Sequence, residues 1–236
     1  DADDAQIAAA RARRTRVSKD APVELIAVTK NHPVAAMQEA IDAGIMNIGE
    51  NRVQEALDKA ETLAREVKWH LIGHLQTNKV KYIAPFIAMI ESVTSERLLR
   101  EICRQADRVS GSSINGRRVI PVLLELHVAQ EETKSGFSRD ELFALLETIH
   151  RTPEEWQGVE LCGLMAMASN TEDEAQIERE FAFVRSVFDE VRTSGLLLCP
   201  ERFTELSMGM SGDYPIALRH GATLVRIGSA IFGDRL

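Results

Sequence analysis

The stretch Glu24-Leu25-Ile26-Ala27-Val28-Thr29-Lys30 decides how the rest of the chain is read. It is an apolar run ending in one lysine, and Asn31-His32-Pro33 then stops it. A strand alternates faces, so Ile26, Val28 and Lys30 share one side and Leu25, Ala27 and Thr29 the other. We assign the Lys30 side to an interior lumen. An ammonium at the end of a buried strand is poorly solvated and gives up its proton more readily. The amine is then a nucleophile able to form a Schiff base with an aldehyde or ketone. For this segment alone, a lysine that rests its stem on apolar surface and reaches water is the plainer alternative.

Working outward, strands and helices alternate. Strands are expected over Glu24–Lys30, Asn47–Glu50, Lys68–Gly73, Ile87–Val93, Ile120–Val128, Val159–Met167, Phe203–Met208 and Leu224–Ser229. Helices are expected over Val34–Ala43, Arg52–Ala64, Thr77–Tyr82, from a Ser95 cap to about Val109, Arg139–His150, from Thr171 or Asp173 to about Ser194, and Tyr214–His220. Ser138 and Glu141 have the spacing of a capping box. Residues 2–19, rich in Ala and Arg without Gly or Pro, read as a helix packed outside the first strand. Strands separated by helices imply parallel βαβ units. About eight of them, with no domain-sized linker, favour a closed (β/α)8 TIM barrel spanning 1–236 as a single domain. No Gly-x-Gly-x-x-Gly follows the first strand and no Walker A is present, which counts against an open dinucleotide-binding sheet.

The 236 residues, 44% hydrophobic, suffice for one such core. A net charge of -8 argues against a nucleic-acid partner, because neutralising phosphates needs a basic face. Cys103, Cys162 and Cys199 lack metal or redox spacing and fit a reducing, cytoplasmic compartment. No apolar run of ~18 residues or signal-peptide pattern is seen, so no membrane partner is expected. The chain begins at Asp1 rather than Met, which reads as a removed start.

In such barrels the working residues lie at the C-terminal ends of the strands. Lys30 is there on strand one, Asn51 follows strand two, and His70 is near the end of strand three. Barrels of this type commonly bind phosphate at the loops after strands seven and eight. Here those loops carry Ser207-Met208-Gly209-Met210-Ser211-Gly212 and Arg226-Ile227-Gly228-Ser229. Ser207, Ser211 and Ser229 add hydroxyl donors, and glycine lets a backbone come close to an anion. Lysine and two Gly/Ser turns together point to a ligand with a carbonyl and a phosphate. Arg226 shares parity with Leu224 and Gly228, so a lumen position needs a partner: an acid such as Glu50 or Glu205, or an acceptor on a ligand. His70 reads first as a hydrogen-bonded core histidine. His127, near the end of strand five, could face the site. Met165, Met167, Met208 and Met210 read as packing around the barrel mouth. No His/Cys/Asp/Glu set has metal-ligand spacing, so no metal is expected.

These residues, in this order, resemble the pyridoxal phosphate homeostasis protein family, related to the N-terminal barrel of alanine racemase. The matching stretches are Ala27-Val28-Thr29-Lys30, Ile48-Gly49-Glu50-Asn51 with Val53-Gln54-Glu55, and Trp69-His70-Leu71-Ile72-Gly73 with Leu75-Gln76-Thr77-Asn78-Lys79. They continue through Lys134-Ser135-Gly136, Gly163-Leu164-Met165, Leu206 to Ser211, and Val225-Arg226-Ile227-Gly228-Ser229 with Ile231-Phe232-Gly233. The resemblance implies pyridoxal 5′-phosphate (PLP) as cofactor, held as a Schiff base on Lys30. It implies phosphate binding by Ser207, Ser211, Gly228 and Ser229, with Arg226 facing the pyridine nitrogen. Asn51, His70, Met165 and Met210 complete the expected cofactor-binding set. His127 departs from the family pattern, where an asparagine is expected. The implied role is a monomeric cytoplasmic carrier in PLP homeostasis, affecting amino-acid and keto-acid metabolism, with apo-PLP enzymes as recipients and no robust turnover. The chain ends at Leu236, soon after the eighth strand, so the second domain of racemases is not expected. A weak racemase is the alternative, and a class I aldolase-type barrel with Lys30 on a phosphorylated sugar is a third reading.

Overall fold

The computed structural model describes residues 23–63, 67–111, 116–131 and 135–232. The helix expected over residues 2–19, together with Lys134 and Gly233, lies outside them. Eight parallel strands close into a barrel in sequence order: β1 (Glu24–Val28), β2 (Asn47–Glu50), β3 (Lys68–Leu71), β4 (Met89–Val93), β5 (Ile120–Glu125), β6 (Val159–Met165), β7 (Glu205–Met210) and β8 (Leu224–Ile227). The first and last strands pair in register from Glu24↔Leu224 to Ala27↔Ile227 and complete the ring.

The helices are α1 (Val34–Asp42), α2 (Val53–Thr62), α3 (Val80–Ile83), α4 (Glu96–Gly111), α5 (Arg139–Arg151), α6 (Glu174–Thr193), α7 (Tyr214–Arg219) and α8 (Ser229–Phe232). For the last of these the sequence marks only a helix start after the Gly228-Ser229 turn, without bounds. Ser138 caps α5 by accepting the Glu141 N–H at 3.1 Å. Asp173, rather than Thr171, caps α6 by accepting from Ala175 and Gln176. On α6 the buried Ile177, Phe181, Val184, Phe188 and Val191 recur at steps of four and three, the spacing that keeps one face on the barrel.

Several strands are shorter than the apolar runs that announced them. β1 ends at Val28, β5 at Glu125, β6 at Met165 and β8 at Ile227. Past these ends Thr29, Leu126 and Ala166 still donate to the neighbouring strands, and Lys30, Met167, Gly228 and Ser229 go on to line the barrel mouth. β7 shifts the other way: it starts at Glu205 and extends to Met210.

Strand parity separates two cores. Ala27, Ile48, Leu71, Val122, Leu164 and Val225 pack between barrel and helices. Ile26, Leu123, Cys162, Met165 and Leu224 form a smaller cluster, with Met89 and Met167 against it. Ile26 thus lies on the side that parity assigned to Lys30. A bulge sets the β5–β6 register: Val122 opposes Leu161, but Leu123 opposes Gly163, leaving Cys162 as the extra residue. Gly163 has φ 154°, and a Cβ there would sit 1.7 Å from the Glu205 carbonyl oxygen of β7. Only glycine lets the two strands approach this closely.

Candidate functional site at the barrel mouth

A cavity of about 650 Å³ opens at the C-terminal ends of the strands. Its lining brings together Lys30, Asn51, Met210, Ser211, Arg226, Gly228 and Ser229 from the expected set. Val28, His32, Ile72, Met167 and Gly212 also line it. The volume suits a small-molecule ligand rather than a macromolecule.

Lys30 does not end a strand, as the sequence implied; it occupies a turn. The His32 N–H donates to the Thr29 carbonyl at 3.0 Å, with Lys30 and Asn31 between them. Asn31 has φ 62°, a left-handed conformation that asparagine tolerates better than most residues. β1 stops at Val28 because Thr29 turns its polar groups elsewhere: its hydroxyl donates to buried Glu50, and its carbonyl accepts from Lys59 Nζ at 2.7 Å.

Across the cavity, the loop after β7 is closed by two hydrogen bonds between Met210 and Asp213. The Met210 N–H donates to Asp213 Oδ1 at 2.7 Å, and the Asp213 N–H to the Met210 carbonyl at 3.1 Å. Ser211 and Gly212 therefore sit at the tip. The Gly228 N–H reaches Ser211 Oγ at 3.4 Å, linking this loop to the one after β8. α8 begins directly afterwards, and the leading N–H groups of a helix have no partner within it. This edge of the cavity is donor-rich, as an anion requires.

Arg226 is 2% exposed. One guanidinium nitrogen, Nη2, donates to the Ala166 carbonyl at 2.8 Å. The other, Nη1, is buried without a hydrogen-bond partner. Burial pulls the guanidinium below its ordinary pKa, opposed by the charges of Glu91, Glu125 and Asp213. The acids expected beside it were Glu50 or Glu205, and neither serves. Glu50 is taken by Thr29 and Lys59, and Glu205 accepts from the Thr223 hydroxyl at 2.7 Å. Glu50 lies on the parity opposite to the lumen, which the sequence reading overlooked; Glu205 shares the parity of Ser207 but begins β7, at the end of the strand away from the cavity.

His70, Met165 and Ser207 do not line the cavity; they are buried. His70 Nδ1 meets Glu91 Oε2 at 2.8 Å, and its Nε2 meets Asn47 Oδ1 at 3.1 Å. Asn47 in turn donates to Glu24 Oε2 at 3.1 Å, which fixes the orientation of its amide. Ser207 donates its hydroxyl to the other Glu91 oxygen. Burial alone would raise the Glu91 pKa, but hydrogen bonds from His70 and Ser207 and the charges of His70 and Arg226 hold it below the ordinary value. Ser207, expected as a phosphate ligand, thus spends its proton on Glu91. His70 is the hydrogen-bonded core histidine that the residue alone implied. His127 is outside the lining as well, and its Nδ1 is buried without a partner.

Glu91 was not singled out from sequence, although a lone carboxylate inside Met89-Ile90-Glu91-Ser92-Val93 is a readable signal of a buried network. Lys59 had none, since it belongs to a helix of mixed charge. Among the described residues no three His, Cys, Asp or Glu side chains group to hold a metal ion, and no helix is long and apolar enough to cross a membrane.

Comparison with known proteins places this geometry. The family described as "Alanine racemase, N-terminal domain" matches residues 4–236. A pyridoxal phosphate homeostasis protein of Pseudomonas aeruginosa is 37% identical over 216 residues, 91% of this chain and 86% of its own. The structure of PipY from Synechococcus elongatus with PLP bound is 34% identical and superposes with a TM-score of 0.78, covering 97% of this chain and 99% of that one. Alanine racemase from Corynebacterium glutamicum, 18% identical, shares the fold with a TM-score of 0.63 over 98% of this chain and 62% of its own. The barrel, its order of motifs and these matches together show that the chain belongs to the pyridoxal phosphate homeostasis protein family.

Proposed function

We propose that the cavity binds PLP, that Lys30 holds it as a Schiff base, and that the chain serves as an intracellular carrier of the cofactor. The observation that carries this reading is the buried, half-satisfied Arg226. An orphaned guanidinium nitrogen at a cavity wall leaves room for an acceptor on a ligand. The pyridine nitrogen of PLP is such an acceptor. The Ser211, Gly228 and Ser229 edge fits its phosphate, and Lys30 fits its aldehyde. When bound, PLP supplies an aldehyde that condenses with a neutral lysine amine, with loss of water, and a ring able to accept electrons. An arginine facing the ring nitrogen disfavours its protonation and weakens that electron sink. Among the described lining residues the titratable side chains are Lys30, His32 and Arg226. His32 stacks its ring on Phe232 with centroids 4.7 Å apart. These features favour holding the cofactor over turning it over. The carrier reading extends to a monomer acting in the cytoplasm, with apo-PLP enzymes as recipients and effects on amino-acid and keto-acid metabolism.

Borohydride reduction after incubation with PLP, followed by peptide mapping, tests the assignment. A pyridoxyl adduct on Lys30 is expected; an adduct elsewhere, or none, overturns it. Sustained amino-acid racemisation lost in Lys30→Ala would replace the carrier with a weak racemase.

A further inference from the structure

The turn that presents Lys30 is held by charged side chains of a neighbouring helix. Lys59, on α2, is 8% exposed. Its Nζ donates to Glu50 Oε1 at 2.6 Å and to the Thr29 carbonyl at 2.7 Å, and lies 3.6 Å from Glu55 Oε2. These three acceptors match the three protons of an ammonium. Glu55 also accepts the Asn31 N–H, with both carboxylate oxygens at 3.4 Å. Glu50 accepts the Thr29 hydroxyl. The residues on either side of Lys30 are thus both gripped, one by Lys59 and Glu50 and the other by Glu55.

Charge in this place is expensive. Burial pushes Glu50 up to about 7 despite the hydrogen bonds from Lys59 and Thr29, and Glu50 Oε2 has no partner. Packing alone would be served as well by apolar side chains, which often replace a buried ion pair without loss of stability. The acceptor that Lys59 holds is informative: the Thr29 carbonyl also closes the turn by receiving the His32 N–H.

We propose that Lys59, with Glu50 and Glu55, is a positioning residue for Lys30: it locks the Thr29–His32 turn so that the Lys30 amine is presented to the carbonyl of a ligand. The inference rests on the reading of Lys30 as the Schiff-base lysine. Lys59 itself touches no ligand. Its removal is expected to slow capture of the aldehyde while sparing recognition of the rest of the ligand.

The test uses two probes on the full chain. PLP reports Schiff-base formation by its near-ultraviolet and visible absorption. Pyridoxine 5′-phosphate, which has an alcohol in place of the aldehyde, reports non-covalent binding. In Lys59→Met the rate of Schiff-base formation is expected to fall about 10- to 100-fold, the cost of a misplacement near 1 Å. The affinity for pyridoxine 5′-phosphate is expected to stay within about threefold, because the Arg226 and Ser211 walls are untouched. Glu55→Ala frees Asn31 without stranding a buried ammonium, and decides the matter should Lys59→Met fail to fold. It should show the same selectivity at smaller amplitude. Wild-type rates in the variants, or equal loss for both probes, overturn the positioning role. A wild-type chain that binds pyridoxine 5′-phosphate yet forms no Schiff base with PLP instead overturns the reading of Lys30 itself, and the positioning role with it.

Discussion

At the scale of single residues, the lumen shows what burial does to charge. Glu125 is 4% exposed, and burial, outweighing the attraction of Arg226, pushes its pKa up to about 7. Below its ordinary value of 4.5 the carboxyl is protonated in both folded and unfolded chains. As pH rises from there to about 7, the unfolded chain releases the proton and the folded chain keeps it. Stability from this group therefore falls across that window and levels off above it. Glu125→Gln removes the penalty. We expect a gain of about 1–3 kcal/mol at pH 8 and almost none at pH 4, read from urea midpoints at the two pH values. An equal gain at both would show that burial of charge is not the cause. Arg226 was legible in sequence as a lumen cation, since parity alone puts it beside Leu224 and Gly228. Its surroundings were not: Glu91 and Glu125 come from β4 and β5, across the lumen, and no local spacing reports a contact over that separation. The same limit misassigned Ser207, whose hydroxyl is claimed by an acid 116 positions away in the chain.

Elements were read more securely than their ends. Eight alternating units follow from hydrophobic periodicity, and α6 has the four-and-three spacing that periodicity detects. Ends of β3 and β6 were overrun because the apolar Ile72 and Met167 serve the cavity wall rather than the sheet, and hydropathy does not separate the two uses. The bulge at Cys162 left no signal except the glycine after it. Gly163→Ala is expected to destabilise the barrel by about 3 kcal/mol or more, since the clash is with backbone and cannot be relieved by a rotamer change. For a chain of this size that is a fall in Tm of roughly 6 °C or more, measurable by calorimetry. A fall under 1 °C would mean that β6 and β7 part without cost.

For the whole molecule, the closed order of strands was implied by the count of βαβ units and the absence of a linker, because a barrel leaves no edge to protect. What the sequence leaves hidden is the seam. Lys30 follows β1 and Ser229 follows β8, strands that pair directly, so part of the cavity lining straddles the seam where the ring closes. A ligand at 100 times its Kd adds about 2.7 kcal/mol, so saturating PLP is expected to raise Tm by roughly 5–10 °C. Amide exchange locates the effect: protection should rise more for Leu25–Ala27 and Val225–Ile227 than for the β4–β5 ladder. Uniform protection would contradict a seam-centred effect.

The stack of His32 on Phe232 already joins the segments that follow β1 and β8, with His32 lining the cavity. The pairing of β1 with β8 is the clasp of this bracelet of strands, and the proposed cargo would sit beside it. A cofactor bonded to Lys30 and gripped beside Gly228, as proposed, would fasten the clasp a second time. On the proposed carrier reading, giving up the cargo and loosening the closure of the ring would then be one event, and a recipient prying the rims of β1 and β8 apart would act on both together.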